Sequence, residues 1–307
     1  MSVPRILTVL LTCACVLSTR LPAKQRAPII DMHLHADLPP YDVPDGAPAL
    51  CRPAPCQGDG AAIADLDRML EVTLEEMDRH NIVQAFLSGL DLDVVQQWKA
   101  AAPGRFIGAP FIMRPGQPTP EVLRRELEAG RLGGIGEIAV QLTGVAPNDD
   151  ALEPYFALAE EFDVPVLLHT AGIGPYLPGF RSAAGSPLLL EKVLVRHPKL
   201  RLFVENAGYP YRDQMIAMMY QYPQLHGDLS TITWVIPRTA FHDYLESFVE
   251  AGLVKRLMFG SDQMRWPAKI GEGIEAIEDA PFLTADQKRD ILYHNAVRFL
   301  RLDKKDG

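Results

Sequence analysis

Cysteine is scarce: the chain has four in 307 residues, too few to staple a fold of this length. Cations are outnumbered, with Lys+Arg 30 against Asp+Glu 39. The formal charge of −9 argues against nucleic acid or an anionic membrane as a partner. No apolar run reaches the roughly 18 residues that a bilayer span needs. Hydrophobic residues make up 48% and charged residues 22%, a balance that excludes disorder and fibrous structure as the main state. No Pro/Gly/Ser-rich linker divides the chain, which reads as one domain with a sizeable core.

The first 18 residues stand apart. Arg5 supplies a thin positive start, Ile6 to Leu17 is an apolar run, and Val16 and Ser18 are small enough to flank a cleavage point after Ser18. The segment reads as a secretory signal, which places the mature chain in the periplasm or outside the cell. A lipid-modified Cys13 or Cys15 and a cytoplasmic chain with a ragged extension are the alternatives. In an exported chain only Cys51 and Cys56 remain. They flank Arg-Pro-Ala-Pro, and a disulfide between them would rigidify that loop.

From residue 28 to 302 strand-length and helix-length segments alternate. Apolar runs fall at 28–34, 82–88, 105–113, 133–140, 164–169, 201–206, 225–230 and 257–261, without the alternation of a half-exposed strand. Ile63, Leu66, Leu70, Leu74 and Met77 recur at helical spacing and predict one apolar face. Thr119-Pro120 and Ser186-Pro187 are helix starts, Gly130 is a helix stop, and Thr284 to Gln287 is a capping box. Eight strand–helix units predict an α/β fold, a (β/α)8 TIM barrel, with a doubly wound open sheet as the runner-up. Residues 36 to 62 are Pro-, Gly- and Asp-rich without periodicity. A long loop after the first strand would lie over the barrel's C-terminal face as a lid or wall.

The chemistry concentrates at strand ends. In Ile29-Ile30-Asp31-Met32-His33-Leu34-His35 the two imidazoles project to one side of a strand and can grip one divalent metal. Glu137 lies near the end of strand four, His169 ends strand five and Asp262 ends strand eight. A buried acid or imidazole is costly without a partner, and a shared metal would satisfy all five. His80 and His197 fall at helix C-termini, while His242 and His294 lie in outer helices; all four read as structural.

Asp31-x-His33-x-His35, Gly136-Glu137-Ile138, His169 and Phe259-Gly260-Ser261-Asp262, in this order, resemble the amidohydrolase superfamily. The resemblance is to its amidohydrolase-related branch, which includes aminocarboxymuconate-semialdehyde decarboxylase, and it runs from about Ile29 to Leu302. It implies a TIM barrel with zinc or another divalent ion, a metal-activated water as nucleophile, and Asp262 as both ligand and proton acceptor. The chain departs from that pattern at strand six, where Asn206 in Val204-Glu205-Asn206-Ala207-Gly208 stands at the position of the expected His. Asn is a poor zinc ligand and no base near neutrality. Strand four also lacks the Lys that some binuclear relatives carboxylate. One Zn2+ is the expected cofactor. Glu205 either enters the site, if the register is off by one, or pairs beneath a helix.

Substrate contacts are expected from Arg114 at the end of strand three, whose guanidinium could fork a carboxylate, from Asn206, and from Tyr209, Trp234 and Trp266 past strands six to eight. His226 and Asp228 fall on strand seven near the mouth. The expected function is hydrolysis of a C–N or C–O bond in a small molecule. Decarboxylation of an aromatic or unsaturated acid is the alternative, and a catalytically idle binding barrel ranks third. The expected partner is a small-molecule substrate, with a homo-oligomer left open.

Overall fold

The computed structural model describes residues 26–37, 63, 65–172, 174 and 177–304. The signal segment, Cys51, Cys56 and nearly all of the long first loop lie outside the described residues. No helix of the described residues is long and apolar enough to cross a membrane.

Eight strands follow the chain: β1 (Ile29–His35), β2 (Ile82–Gly89), β3 (Phe106–Pro110), β4 (Ile135–Ile138), β5 (Val166–Leu168), β6 (Leu202–Val204), β7 (Leu225–Asp228) and β8 (Leu257–Met258). Helices α1 (Leu66–His80), α2 (Leu92–Ala101), α3 (Pro120–Glu128), α4 (Glu153–Glu161), α5 (Glu191–Arg196), α6 (Arg212–Gln221), α7 (Ile232–Val235), α8 (Arg238–Glu250), α9 (Lys269–Glu278), α10 (Ala285–Arg289) and α11 (Asn295–Leu300) fill the connections. Every paired neighbour is parallel, in ladders of order β1-β2-β3 and β4-β5-β6-β7-β8. Backbone hydrogen bonds cross both seams. Ile112 donates to Glu137 O at 2.8 Å, Met32 to Phe259 O at 2.9 Å and Asp262 to His33 O at 2.8 Å. The architecture is the (β/α)8 barrel.

Strands as buried as these need apolar side chains on both faces. Inward, Ile30, Met32, Phe86, Ala109, Leu167, Phe203 and Met258 fill the barrel, and Phe299 and Leu300 of α11 seal its base. Outward, Ile29, Leu34, Leu87, Val166, Leu168 and Leu202 meet the helices. Each fully buried large apolar side chain contributes about 1.5–3 kcal/mol.

Local signals hold in detail with two corrections. Thr119 caps α3, with Pro120 in its first turn, and Thr284 and Gln287 form the reciprocal capping box of α10. In α1, Asp65 caps the helix and the buried face runs through Met69, Leu70, Thr73 and Met77, while Leu66 is exposed. The predicted face was thus rotated, because Ile63 precedes the helix and does not set its phase. Pro187 opens a 3₁₀ turn over Pro187–Leu190 instead of an α-helix, and the Ser186 hydroxyl donates to Gln214 at 2.7 Å rather than capping.

His226 is not at the mouth. It lies near the start of β7, at the base, 4.7 Å from the Phe299 ring in a cleft it shares with Lys199, Lys255 and Arg298. Burial, aided by the Arg256 charge, pushes its pKa down to about 4 against the hydrogen bond to Gln224 O. A histidine depressed in the folded state stays neutral while the unfolded chain gains a proton. Stability therefore falls as pH drops from the ordinary value of 6.5 through 4, by at most about 3 kcal/mol. Urea unfolding at pH 7 and pH 4.5 should show a steep loss in the wild type and a shallower one in His226→Gln. Equal losses would remove His226 as a source of acid lability.

Candidate active site

The site begins with a bulge. Asp31 pairs with Ala85 and Leu34 with Leu87, so β1 gains one residue on β2 between them. Met32 points into the barrel core, and the extra residue turns His33 inward as well; His35 follows with the strand period. Asp31 locks this kink, its Oδ1 accepting from the N–H of His33 at 3.0 Å and of Ser261 at 2.9 Å. Burial pushes the Asp31 carboxyl up to about 7 despite hydrogen bonds from Ser261 and His33.

A second bulge sits in β4, where Ile135 pairs with Val166 and Ile138 with Leu168. Gly136 occupies it at φ 101°, and a Cβ there would meet Leu167 O at 2.1 Å. Glu137 is thereby aimed into the mouth, its N–H donating to Ser88 Oγ at 2.7 Å. Gly260 allows the segment after β8 to approach β1 and β7, since a Cβ there would lie 2.9 Å from His33 Cβ and 3.3 Å from Asp228 Cβ. Asp262 follows in the left-handed region at φ 48°. Such strain in a non-glycine residue persists where the surroundings impose it, often at functional positions.

The buried side chains converge. His33 Nε2 lies 3.1 Å from Glu137 Oε2 and 3.5 Å from Asp262 Oδ1. His35 Nε2 lies 2.9 Å from Asp262 Oδ1 and 3.4 Å from Glu137 Oε2. On the other side, His169 Nδ1 lies 2.8 Å from Glu137 Oε1 and against Glu205 Oε2. Among the described residues, His33–His35–Asp262 and Glu137–His169–Glu205 each bring ligand atoms within 4.8 Å of one another. His169, expected beside the strand-one pair, groups with Glu137 and Glu205 instead.

Asp228 has a role that its strand position alone did not reveal. His33 Nδ1 donates toward Asp228 Oδ2 at 3.1 Å and Ser230 Oγ at 2.8 Å. With a metal bound, a ring proton held there would leave Nε2 as the ligand atom, the usual carboxylate–histidine support of a metal site.

Electrostatics within this cluster favours a cation. Burial pushes His33 down, but Asp262, Asp228 and Glu137 outweigh it and hold its pKa well above the usual value. His169 rises against burial to about 10 beside Glu205 and Glu137. Burial would raise Glu137, yet hydrogen bonds from His169 and His33 hold it below the usual range, while burial wins at Glu205 and lifts it to about 7. The carboxylates thus favour protonated, positively charged imidazoles beside them, and a divalent ion would take the place of those protons. Among the described residues, His35 Nδ1 and His169 Nε2 are buried without hydrogen-bond partners. The N/O donor set fits zinc or manganese.

A family model described as amidohydrolase matches residues 30–302. The chain belongs to the amidohydrolase family. No curated protein matches it. Among solved structures, this amidohydrolase is similar to an uncharacterized TIM-barrel protein from Bordetella bronchiseptica, with 20% identity, TM-score 0.68 and coverage of 91% of this chain and 100% of that one. A probable 2-pyrone-4,6-dicarboxylic acid hydrolase from Acinetobacter baumannii has 15% identity, TM-score 0.59 and coverage of 89% and 99%. A 5-carboxyvanillate decarboxylase from Novosphingobium aromaticivorans, complexed with manganese, has 18% identity, TM-score 0.53 and coverage of 77% and 82%. At these identities the likeness shows the fold.

The expected substrate contacts divide. Arg114 is exposed in a turn past β3, paired with Gln117, because the strand ends at Pro110. The Asn206 amide is occupied by the protein: Oδ1 accepts from Thr231 Oγ1 and Ile232 N, each at 3.0 Å, and Nδ2 donates to Glu205 at 2.8 Å. Tyr209 is half-buried, edge-on to Tyr244 at 5.0 Å. Trp234 and Trp266 are half-buried with rings 6.4 Å apart, and Trp234 Nε1 donates to Ser261 O at 2.9 Å. An apolar wall was missed in the sequence. Phe111 stands edge-on to His35 at 5.4 Å and Phe180 edge-on to His169 at 6.5 Å, in a cluster with Ala139 and Leu142.

Proposed function

We propose that this amidohydrolase is a metal-dependent hydrolase, Zn2+ being the fitting ion, that cleaves a C–N or C–O bond in a small amide, ester or lactone. One observation carries the reading. Among the described residues, Glu137, Glu205, Asp228 and Asp262 pair with imidazoles and with no Lys or Arg. Such a mouth suits a neutral scissile group better than a free carboxylate, which would need its own cation.

When bound, a divalent ion at His33, His35 and Asp262 would supply Lewis acidity and bring the pKa of water toward neutrality. The side chains do the rest. Asp228 fixes the His33 ring. Asp262 Oδ1, 2.9 Å from His35 Nε2, accepts the proton of the attacking water and returns it to the leaving group. Phe111 and Phe180 exclude water and pack an apolar substrate body.

The test is a panel of amides, esters, lactones and aromatic acids given to chelator-stripped and metal-reloaded protein. Metal-dependent hydrolysis without carbon dioxide release is the expected result. Carbon dioxide released from an aromatic acid, with no hydrolysis, would replace this reading by the decarboxylase one.

A further inference from the structure

We propose that the base of the barrel, at the opposite end from the mouth, binds a small phosphorylated or sulfated molecule. Its tetrahedral dianion sits in the cleft beside His226, drawn by Lys199 and Lys255. This site shares no residue with the metal-dependent one above.

The cleft has a volume of about 600 Å3, within the usual range of small-molecule pockets. It lies where β6, β7 and β8 begin. Lys199 precedes β6, Lys255 precedes β8, and His226 is on the strand between them. Arg298 and Phe299 come from α11. Five Lys and Arg side chains and two carboxylates line the cleft, although the whole chain carries −9. A positive cleft on an acidic protein concentrates anions locally.

Basic side chains in such a place can do no more than cover helix C-terminal carbonyls. Arg201 does that, donating to Phe299 O at 2.8 Å. The other guanidiniums are also engaged within the protein. Asp163 holds Arg201 Nε at 3.1 Å and meets Arg301 as well, while Arg298 lies 3.0 Å from Asp290. Glu160 accepts from the Lys199 N–H at 2.8 Å and lies 3.1 Å from His197. Both carboxylates of the cleft are thereby used. The ammonium groups of Lys199 and Lys255 have no ion-pair partner among the described residues. Lysine offers a point charge with three rotatable donors, which suits a tetrahedral dianion. A flat carboxylate is better matched by a free guanidinium fork. Phe299, Leu200 and Pro198 offer apolar surface to the organic part of the ligand.

His226 links the site to protons. Its Nδ1 donates to Gln224 O at 3.3 Å, so the neutral ring keeps its lone pair on Nε2. Burial, aided by the Arg256 charge, holds the ring neutral. A dianion beside it opposes both effects and favours a proton on Nε2.

Sulfate is the probe, because its charge is constant between pH 5 and pH 8. Zn2+-loaded protein is titrated with sulfate at fixed ionic strength while the His226 ring is followed by NMR, its signals assigned by their loss in His226→Gln. The wild type should show saturable shifts of those signals. At pH 5 the ring should be mostly neutral without sulfate and about half protonated or more with it. Lys199→Ala combined with Lys255→Ala should bind sulfate at least about tenfold more weakly, the worth of lost charge-assisted contacts, with metal content unchanged. Both lysines are exposed, so the barrel should fold; if circular dichroism shows otherwise, the wild-type shifts decide. Glycerol 3-phosphate should bind more tightly than sulfate, and citrate more weakly than glycerol 3-phosphate. No saturable shift at His226, or equal affinity in the double variant, would overturn the proposal. So would a response confined to the histidines of the mouth, or tighter binding of citrate, which would make the cleft a carboxylate site.

Discussion

Asp262→Asn should lower turnover by about two to four orders of magnitude, the usual worth of positioned acid–base help. The substitution keeps the size of the side chain and removes its charge and basicity. It should not unfold the barrel. Asp262 sits at φ 48°, which Asn adopts more readily than most residues, and its N–H still donates to His33 O at 2.8 Å. The carboxylate also faces His35 Nε2 at 2.9 Å, so metal affinity should fall alongside turnover. The two effects separate when kinetics are measured at saturating metal with content determined on the same sample. A fully loaded Asp262→Asn protein that turns over like wild type would remove Asp262 from the proton path, while a loss cured entirely by added metal would leave it as a ligand only.

The barrel was legible because its strands are buried on both faces. Such strands read as continuous apolar runs, and Val166-Leu167-Leu168 or Leu202-Phe203-Val204 admits little else. Their ends were less legible. The run at 257–261 predicted a full strand, yet the ladder stops at Met258. Phe259 to Asp262 leave it to bond β1 and to carry Asp262 into the mouth, and apolar character does not distinguish these two fates. The same holds for 105–113, where the ladder stops at Pro110 and Arg114 is carried out to the surface.

Among the site residues, those that announce themselves have a local signature. His33 and His35 stand two apart in one strand, and His169 and Asp262 close apolar runs. Asp228 has no such signature. Its meaning comes from His33, 195 positions away, and only the barrel brings the two together. Glu205 was ambiguous for a similar reason. A left-handed turn at Asn206 and Ala207 decides which of two adjacent side chains enters the mouth, and neither residue type forces that turn. The bulges in β1 and β4 are also pairing events. They depend on the neighbouring strand as much as on the residues that bulge.

Gly136 is the exception, a position where one residue's chemistry sets site geometry and stability together. Gly136→Ala should destabilise the protein by about 3–5 kcal/mol, the sum of an unfavourable backbone region and a collision that cannot relax cheaply. The added Cβ would lie 2.1 Å from Leu167 O and 2.9 Å from Ile138 N, both backbone atoms, so β4 and β5 must part to admit it. Parting them displaces Glu137, and metal content should fall with stability. Gly104→Ala is the control. Gly104 has φ 80°, but nothing lies within 4 Å of an added Cβ, so only the backbone cost remains, about 1–2 kcal/mol. Urea unfolding of both variants isolates the steric part. A Gly136→Ala protein no less stable than Gly104→Ala, and still fully loaded with metal, would show that β4 is free to move and that the bulge does not hold Glu137 in place.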